Sequence, residues 1–201
     1  LALAERAWRG GGYEYFDKEL IERIAKESGL STEYIEKNGE HSPGTNIFSY
    51  AFVGRNRKGE SAEDYLWNKQ REIILKIADQ GNCVIVGRCA DYILKDNPDV
   101  ISVFCYSDVE ERIQWSIDEY QVPAKQAKKI VQEKDAQRSR FYEFYTNQKW
   151  GNPRNYTLMI NTSKMSTEET VQLLASFYDA KKGILTFKNA FENQYEKDNK
   201  Y

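Results

Sequence analysis

Short apolar runs alternate along this chain with longer stretches patterned at helical spacing. The clearest run is Val84-Ile85-Val86, inside the segment NCVIVGRCAD (Asn82–Asp91). An uninterrupted run of this kind predicts a strand buried on both faces of a parallel sheet. Gly87 ends it, and the chain should then turn into a short helix, Ala90–Lys95. Tyr13–Phe16, Val100–Cys105 and Tyr156–Asn161 read as further strands. Between them, Leu20, Ile21, Ile24 and Ala25 form one apolar stripe, with Asp17 as a candidate cap and Gly29 as the stop. Ser31–Lys37 predicts a short helix. Ser61 opens a long one to about Gln80, with Tyr65, Leu66, Ile73, Ile74 and Ile77 inward. Two capping boxes, Ser107-Asp-Val-Glu110 and Ser166-Thr-Glu-Glu169, predict helices running to about Glu119 and Lys182. Pro123 begins another long helix that runs into KDAQRSRFYEFYTNQKW. Strands alternating with helices in this way give a βαβ series, so the expected class is a three-layer α/β/α fold with a mainly parallel sheet.

The remaining stretches are less regular. Leu1–Trp8 has helical periodicity but no cap, and reads as the end of a helix beginning upstream, closed by Gly10–Gly12. Asn38–Glu60 is rich in Gly, Asn, Ser and charge, and loops of that length are usually functional or mobile. Gly183–Tyr201 reads as a tail or peripheral helix.

Composition narrows the chemistry. The 201 residues make one domain, or a domain with a small appendage, and 40% hydrophobic with 30% charged residues is ordinary for a globular protein. A formal charge of −2 argues against a general binder of nucleic acid or anionic membranes. No signal-peptide pattern and no apolar run of spanning length is visible, so a cytoplasmic location is expected. Cys83, Cys89 and Cys105 match no zinc spacing and are expected to be buried thiols. His41 is the single histidine, which argues against His-dependent triads and His-rich metal sites.

Two stretches carry candidate chemistry. Arg88 follows the carboxyl end of the central strand, where open parallel sheets bind ligands, and its planar fork suits a phosphate or carboxylate. Alternatively, Arg88 pairs with Asp91 and merely caps the strand. In KDAQRSR (Lys134–Arg140), a helix puts Lys134 and Arg138 on one face, with Arg140 about 200° round from Arg138. Clustered cations suit an anion with several negative oxygens, such as a transferring phosphoryl group. The other reading is a solvated face countered by Glu133 and Asp135. The adjoining FYEFYT could stack on single-stranded nucleic acid. Glu143 and the overall charge favour instead the packing of Phe141, Phe144 and Tyr145 onto the domain. No G-x-x-x-x-G-K-[ST] loop occurs, and Gly10–Gly12 precedes a strand instead of joining strand to helix.

Taken together, YFDKELIERIA (Tyr15–Ala25), CVIVGRCADYIL (Cys83–Leu94), SDVEER (Ser107–Arg112), KDAQRSRFYEFYT (Lys134–Thr146) and WGNPRNYTLMINTS (Trp150–Ser163) resemble the cytidylate kinase-like family of bacterial P-loop kinases. The resemblance implies a nucleoside monophosphate kinase fold over residues 1–182, with a core of five parallel strands and with 183–201 as a tail. The family's first strand and P-loop would lie immediately before Leu1. An acceptor-binding segment is implied at about 17–60 and a lid at about 134–155. By resemblance, Arg88 matches the arginine that contacts the acceptor's phosphate, and Arg138 and Arg140 match the arginines that close over the phosphates. Lys134 stands where relatives often have a further arginine. Asp17, Asp91 and Asp135 are the implied substrate-side carboxylates. The family's Asp after that first arginine is Cys89 here, and Thr157 replaces another common Asp. The implied activity is ATP-dependent phosphorylation of a nucleoside monophosphate, CMP or dCMP, to the diphosphate. Mg²⁺ would be carried with the nucleotide instead of sitting in a protein-built metal site. A phosphotransferase with another small acceptor and a non-catalytic nucleotide-binding protein are the alternatives. The implied partners are small-molecule nucleotides, with no nucleic acid and no membrane, and with monomer or homodimer left open.

Overall fold

The computed structural model describes residues 14–40 and 59–181. The expectations for Leu1–Trp8, the Gly10–Gly12 cluster, His41, most of the Asn38–Glu60 loop and the 183–201 tail lie outside the described residues. Residues 13–163 form one compact unit, and the described residues 164–181 belong to a second.

In chain order the first unit contains β1 (Glu14–Phe16), α1 (Lys18–Ser28), α2 (Thr32–Asn38), α3 (Ala62–Gln80), β2 (Cys83–Ile85) and α4 (Ala90–Ile93). It continues with β3 (Val103–Tyr106), α5 (Val109–Asp118), α6 (Ala124–Thr146), a 3₁₀ turn (Pro153–Asn155) and β4 (Leu158–Asn161). β1 pairs in parallel with β2, Tyr15 opposite Val84, and β3 pairs in parallel with β4, Phe104 opposite Met159. Parallel neighbours need crossovers, which helices α1–α3 supply for the first pair and α5–α6 for the second. The order of strands and helices is the α/β order read from the sequence. The described residues, however, form two separate two-stranded sheets and not one continuous sheet.

That difference shows in burial. The apolar run Val84–Val86 predicts a strand covered on both faces, yet β2 is only half-buried and Val86 is 38% exposed. A two-stranded ribbon has two open edges and cannot enclose its residues as the interior of a wide sheet does. Burial instead centres on the helices. Leu20 and Ile24 of α1, Ile35 of α2 and Leu66, Ile73, Ile74 and Ile77 of α3 are essentially inaccessible and pack with Phe16, Ala90 and Leu94. Each such side chain contributes about 1.5–3 kcal/mol on leaving water. Tyr65, expected inward, is only half-buried and donates its hydroxyl to the Ser28 carbonyl at 3.2 Å. A second cluster gathers Cys89, Phe141 and Tyr142 against Trp67, Tyr92, Tyr145 and Trp150. Phe141 and Tyr145 therefore pack inward as expected, but Phe144 is 49% exposed, and the buried ring is Tyr142. Cys105 is also exposed, against the expectation of three buried thiols.

Helix starts divide cleanly. Ser31 and Ser61 accept backbone bonds from Tyr34 and Asp64, as N-caps should. In the second unit, Ser166 and Glu169 exchange the two bonds of a capping box, at 2.7 and 3.1 Å, before a helix over 167–181. The other two expected starts in the first unit lack their cap bonds. Asp17 has φ −127° and ψ −80° and makes no side-chain cap bond, because this backbone is not the extended one that aims a carboxylate at the first turn. At Ser107–Glu110 no box forms. The helix starts at Val109, and the Ser107 hydroxyl reaches Glu111 at 3.4 Å instead.

No helix among the described residues is long and apolar enough to cross a membrane.

Candidate functional site

The strand-to-helix turn after β2 is the most strained backbone described. Gly87, Arg88 and Cys89 follow one another with φ of 72°, 57° and 56°. For a residue with a Cβ, this left-handed conformation costs about 1–2 kcal/mol, so the surroundings must hold it. Ala90 N–H bonds to the Gly87 carbonyl at 3.0 Å and Ile93 N–H to the Cys89 carbonyl at 2.9 Å, locking the turn. Its consequence is the direction of Arg88, whose side chain enters the protein and is only 10% exposed.

There the guanidinium meets residues from three other segments. Its Nη1 donates to Gln70 Oε1 at 3.1 Å, and Gln70 Nε2 donates to the Gly39 carbonyl at 3.3 Å. Gln70 is fully buried on α3, so both ends of its amide are used. Glu40 Oε1 lies 4.0 Å from Arg88 Nε, and Glu40 Oε2 lies 3.6 Å from Arg138 Nε on α6. The Glu40 carbonyl accepts from Gln137 at 3.4 Å. Burial lowers the Arg88 pKa, and Arg138 adds to that. The Glu40 and Asp17 carboxylates oppose it. An arginine stays charged under any of these influences. The result is two guanidiniums, one sunk and one half-exposed, facing one carboxylate.

The other expected site residues are placed elsewhere. Asp91 does not pair with Arg88. It is the Tyr142 hydroxyl that donates to Asp91 Oδ2, at 2.7 Å, with Gln148 Oε1 3.3 Å from the same hydroxyl. The turn explains this, since it sends Arg88 toward α3 while Asp91 faces α6. Burial raises the Asp91 pKa, and the Tyr142 bond only partly offsets that. Asp91, Tyr142, Gln148, Arg154 and Tyr156 line a polar cavity of about 350 Å³. Asp135 is held by Arg112 of α5, with its two oxygens at 2.7 and 2.8 Å from Nη1. Lys134 and Arg140 are exposed on α6 and are not among the groups that meet at Glu40. Thr157 bonds across to Ser102 at the start of β4, with Thr157 Oγ1 accepting from Ser102 N–H at 3.2 Å, which sets the register of the second sheet. Cys89 is buried, and its thiol pKa is pushed far up by burial and by the nearby Asp91 and Glu40 charges, which favours the protonated thiol.

Sequence reasoning missed Gly39, Glu40 and Gln70. Gln70 left a signal, a polar residue at helical spacing between Leu66 and Ile73 on the buried stripe. Gly39 and Glu40 left none beyond their place at the edge of an irregular segment. Among the described residues no group of three or more His, Cys, Asp or Glu side chains is placed to hold a metal ion.

The cytidylate kinase-like family model matches residues 3–164. Among solved structures, the chain is similar to an uncharacterized protein from Eubacterium ventriosum ATCC 27560, 23% identical, with 89% of this chain and 90% of that one covered at a TM-score of 0.64. That likeness speaks to the fold. No curated protein matches the chain.

Proposed function

This chain belongs to the cytidylate kinase-like family, and from that membership we propose that it is an ATP-dependent nucleoside monophosphate kinase acting on CMP or dCMP. In the reaction, an oxygen of the acceptor's phosphate attacks the γ-phosphorus of ATP. The bond from that phosphorus to the bridging β–γ oxygen breaks, and the products are the nucleoside diphosphate and ADP. Such transfer asks little covalent chemistry of the protein, and much positioning and charge neutralisation. Mg²⁺ enters with ATP.

One observation carries the proposal. Arg88 and Arg138, far apart in sequence, converge on a single carboxylate. A pair of guanidiniums sharing one anion is the arrangement that holds a phosphate. In this reading Arg88, fixed by the strained turn and by Gln70, holds the acceptor's phosphate. Arg138, half-exposed on α6, neutralises charge as transfer proceeds, and Lys134 on the same helix face adds to it, whereas Arg140 lies about 200° round the helix. Asp17, whose charge reaches Arg88, sits on the acceptor side.

The test is ADP release from ATP and Mg²⁺ by the full chain, measured across CMP, dCMP, UMP, AMP and GMP. Turnover confined to one or two pyrimidine monophosphates is the expected result. ATP binding with no turnover on any of the five points to a different small acceptor. No ATP binding would leave a kinase-like fold without the chemistry.

A further inference from the structure

Glu40 is a neighbour no phosphate-binding site needs. Its two carboxylate oxygens are shared out, one toward each arginine, at 4.0 and 3.6 Å. Both separations exceed the roughly 2.7–2.9 Å of a well-formed charge-assisted hydrogen bond. The carboxylate thus offsets one of the pair's two charges without gripping either member. Its backbone, by contrast, is fastened independently. The Glu40 carbonyl takes the Gln137 amide, and the preceding Gly39 carbonyl takes Gln70. The hold on the Glu40 carboxylate is thus separate from the hold on its backbone.

We infer that the Glu40 carboxylate is an internal stand-in for the acceptor's phosphate, occupying the Arg88–Arg138 anion position until a substrate phosphate displaces it. The inference rests on the proposed acceptor role of that pair and adds a residue that sets how tightly the pair takes its substrate. Two like charges close together in a partly buried site repel, and a resident carboxylate partly offsets that repulsion. A phosphate dianion carries more charge and more acceptor oxygens than a carboxylate, so it can replace Glu40 and bond both guanidiniums. A monoanion such as chloride offers neither advantage. Glu40 therefore acts as a positioning residue that weakens acceptor binding and restricts the site to strongly charged anions.

Glu40→Gln keeps the size of the side chain and its backbone contacts but removes the charge. The probe is inorganic phosphate at constant ionic strength, with sodium chloride as the control, followed by calorimetry and by the rise in melting temperature. The variant is expected to bind phosphate about three- to tenfold more tightly than wild type, the scale of one partly screened ion pair. In turnover, the KM for the acceptor should fall by a similar factor while kcat does not rise, a split that a purely structural role would not produce. Glu40→Asp, which draws the carboxylate back from Arg138, should fall between the two and serves as the test if Glu40→Gln does not fold by circular dichroism. Phosphate affinity that is unchanged or weaker in the folded variant overturns the inference. Arg88→Ala separates the two readings. If it loses phosphate binding while Glu40→Gln has no effect, the acceptor site stands and the stand-in falls. If Arg88→Ala binds phosphate as wild type does, the site itself is wrong and both fall.

Discussion

The Tyr142 hydroxyl donates to the Asp91 carboxylate at 2.7 Å, joining α6 to α4 beside the strained turn. The bond sits in a half-buried polar network whose loss leaves a carboxylate poorly solvated. Tyr142→Phe removes the donor without opening a cavity, and is expected to destabilise the protein by about 1–3 kcal/mol, read as a shift in the urea midpoint.

The same carboxylate predicts a pH dependence. Burial raises the Asp91 pKa above the ordinary carboxylate value. The folded state therefore binds this proton more tightly than the unfolded chain does. The resulting stabilisation is complete below the ordinary Asp range and is lost as pH rises through the raised folded value. Asp91→Asn cannot titrate, so the wild-type-minus-variant stability difference should decline over that window and then level off. A flat difference across that window would show that Asp91 is not desolvated as described.

Arg88 and Arg138 should separate kinetically. Arg88→Ala is expected to raise acceptor KM by about tenfold or more, because it removes the buried half of the anion site. Arg138→Ala should chiefly lower kcat, by about ten- to a hundredfold. Wild-type kinetics in both variants would refute the assignments.

Gly39 offers a steric probe of the same site. Its backbone is ordinary αR, so the demand for glycine here is one of space and not of φ. A Cβ at this position would run into the Arg88 guanidinium and the Ile35 carbonyl. Gly39→Ala should push Arg88 off Gln70 and raise acceptor KM by about threefold or more, at a stability cost of about 1–3 kcal/mol. Steady-state kinetics beside thermal melts measure both effects.

Asp135 gives a contrast. Its partner is Arg112, and both side chains are about one-third exposed, at 29% and 35%. A pair this accessible contributes about 0.5–1 kcal/mol. Asp135→Asn should cost that much stability and change acceptor KM by less than about twofold. A large KM change would instead give Asp135 the substrate-side role its position in the lid-like segment implies.

The sequence by itself determined the order of elements, the helix stripes and most helix starts. These are local properties. Hydrophobic period, a Ser that bonds three residues ahead and a Gly that ends a helix act within a turn or two of chain, as Ser61, Ser166 and Gly29 do here. It also marked Arg88 and the group Lys134, Arg138 and Arg140, because cations at the end of an apolar strand and clustered on a later helix are visible as text. It did not tell Arg138 from its two neighbours. What only the tertiary structure decided was partnership. The two-sheet pairing, the handing of Asp91 to Tyr142 and of Asp135 to Arg112, and the meeting of Arg88, Gln70, Glu40 and Arg138 all join segments far apart in the chain. The direction of Arg88 depends on three successive left-handed residues, two of which carry side chains. Local preference disfavours that conformation, so no reading of propensities finds it. Only the packing around it, which rewards the buried guanidinium with Gln70 and Glu40, makes the strain tolerable.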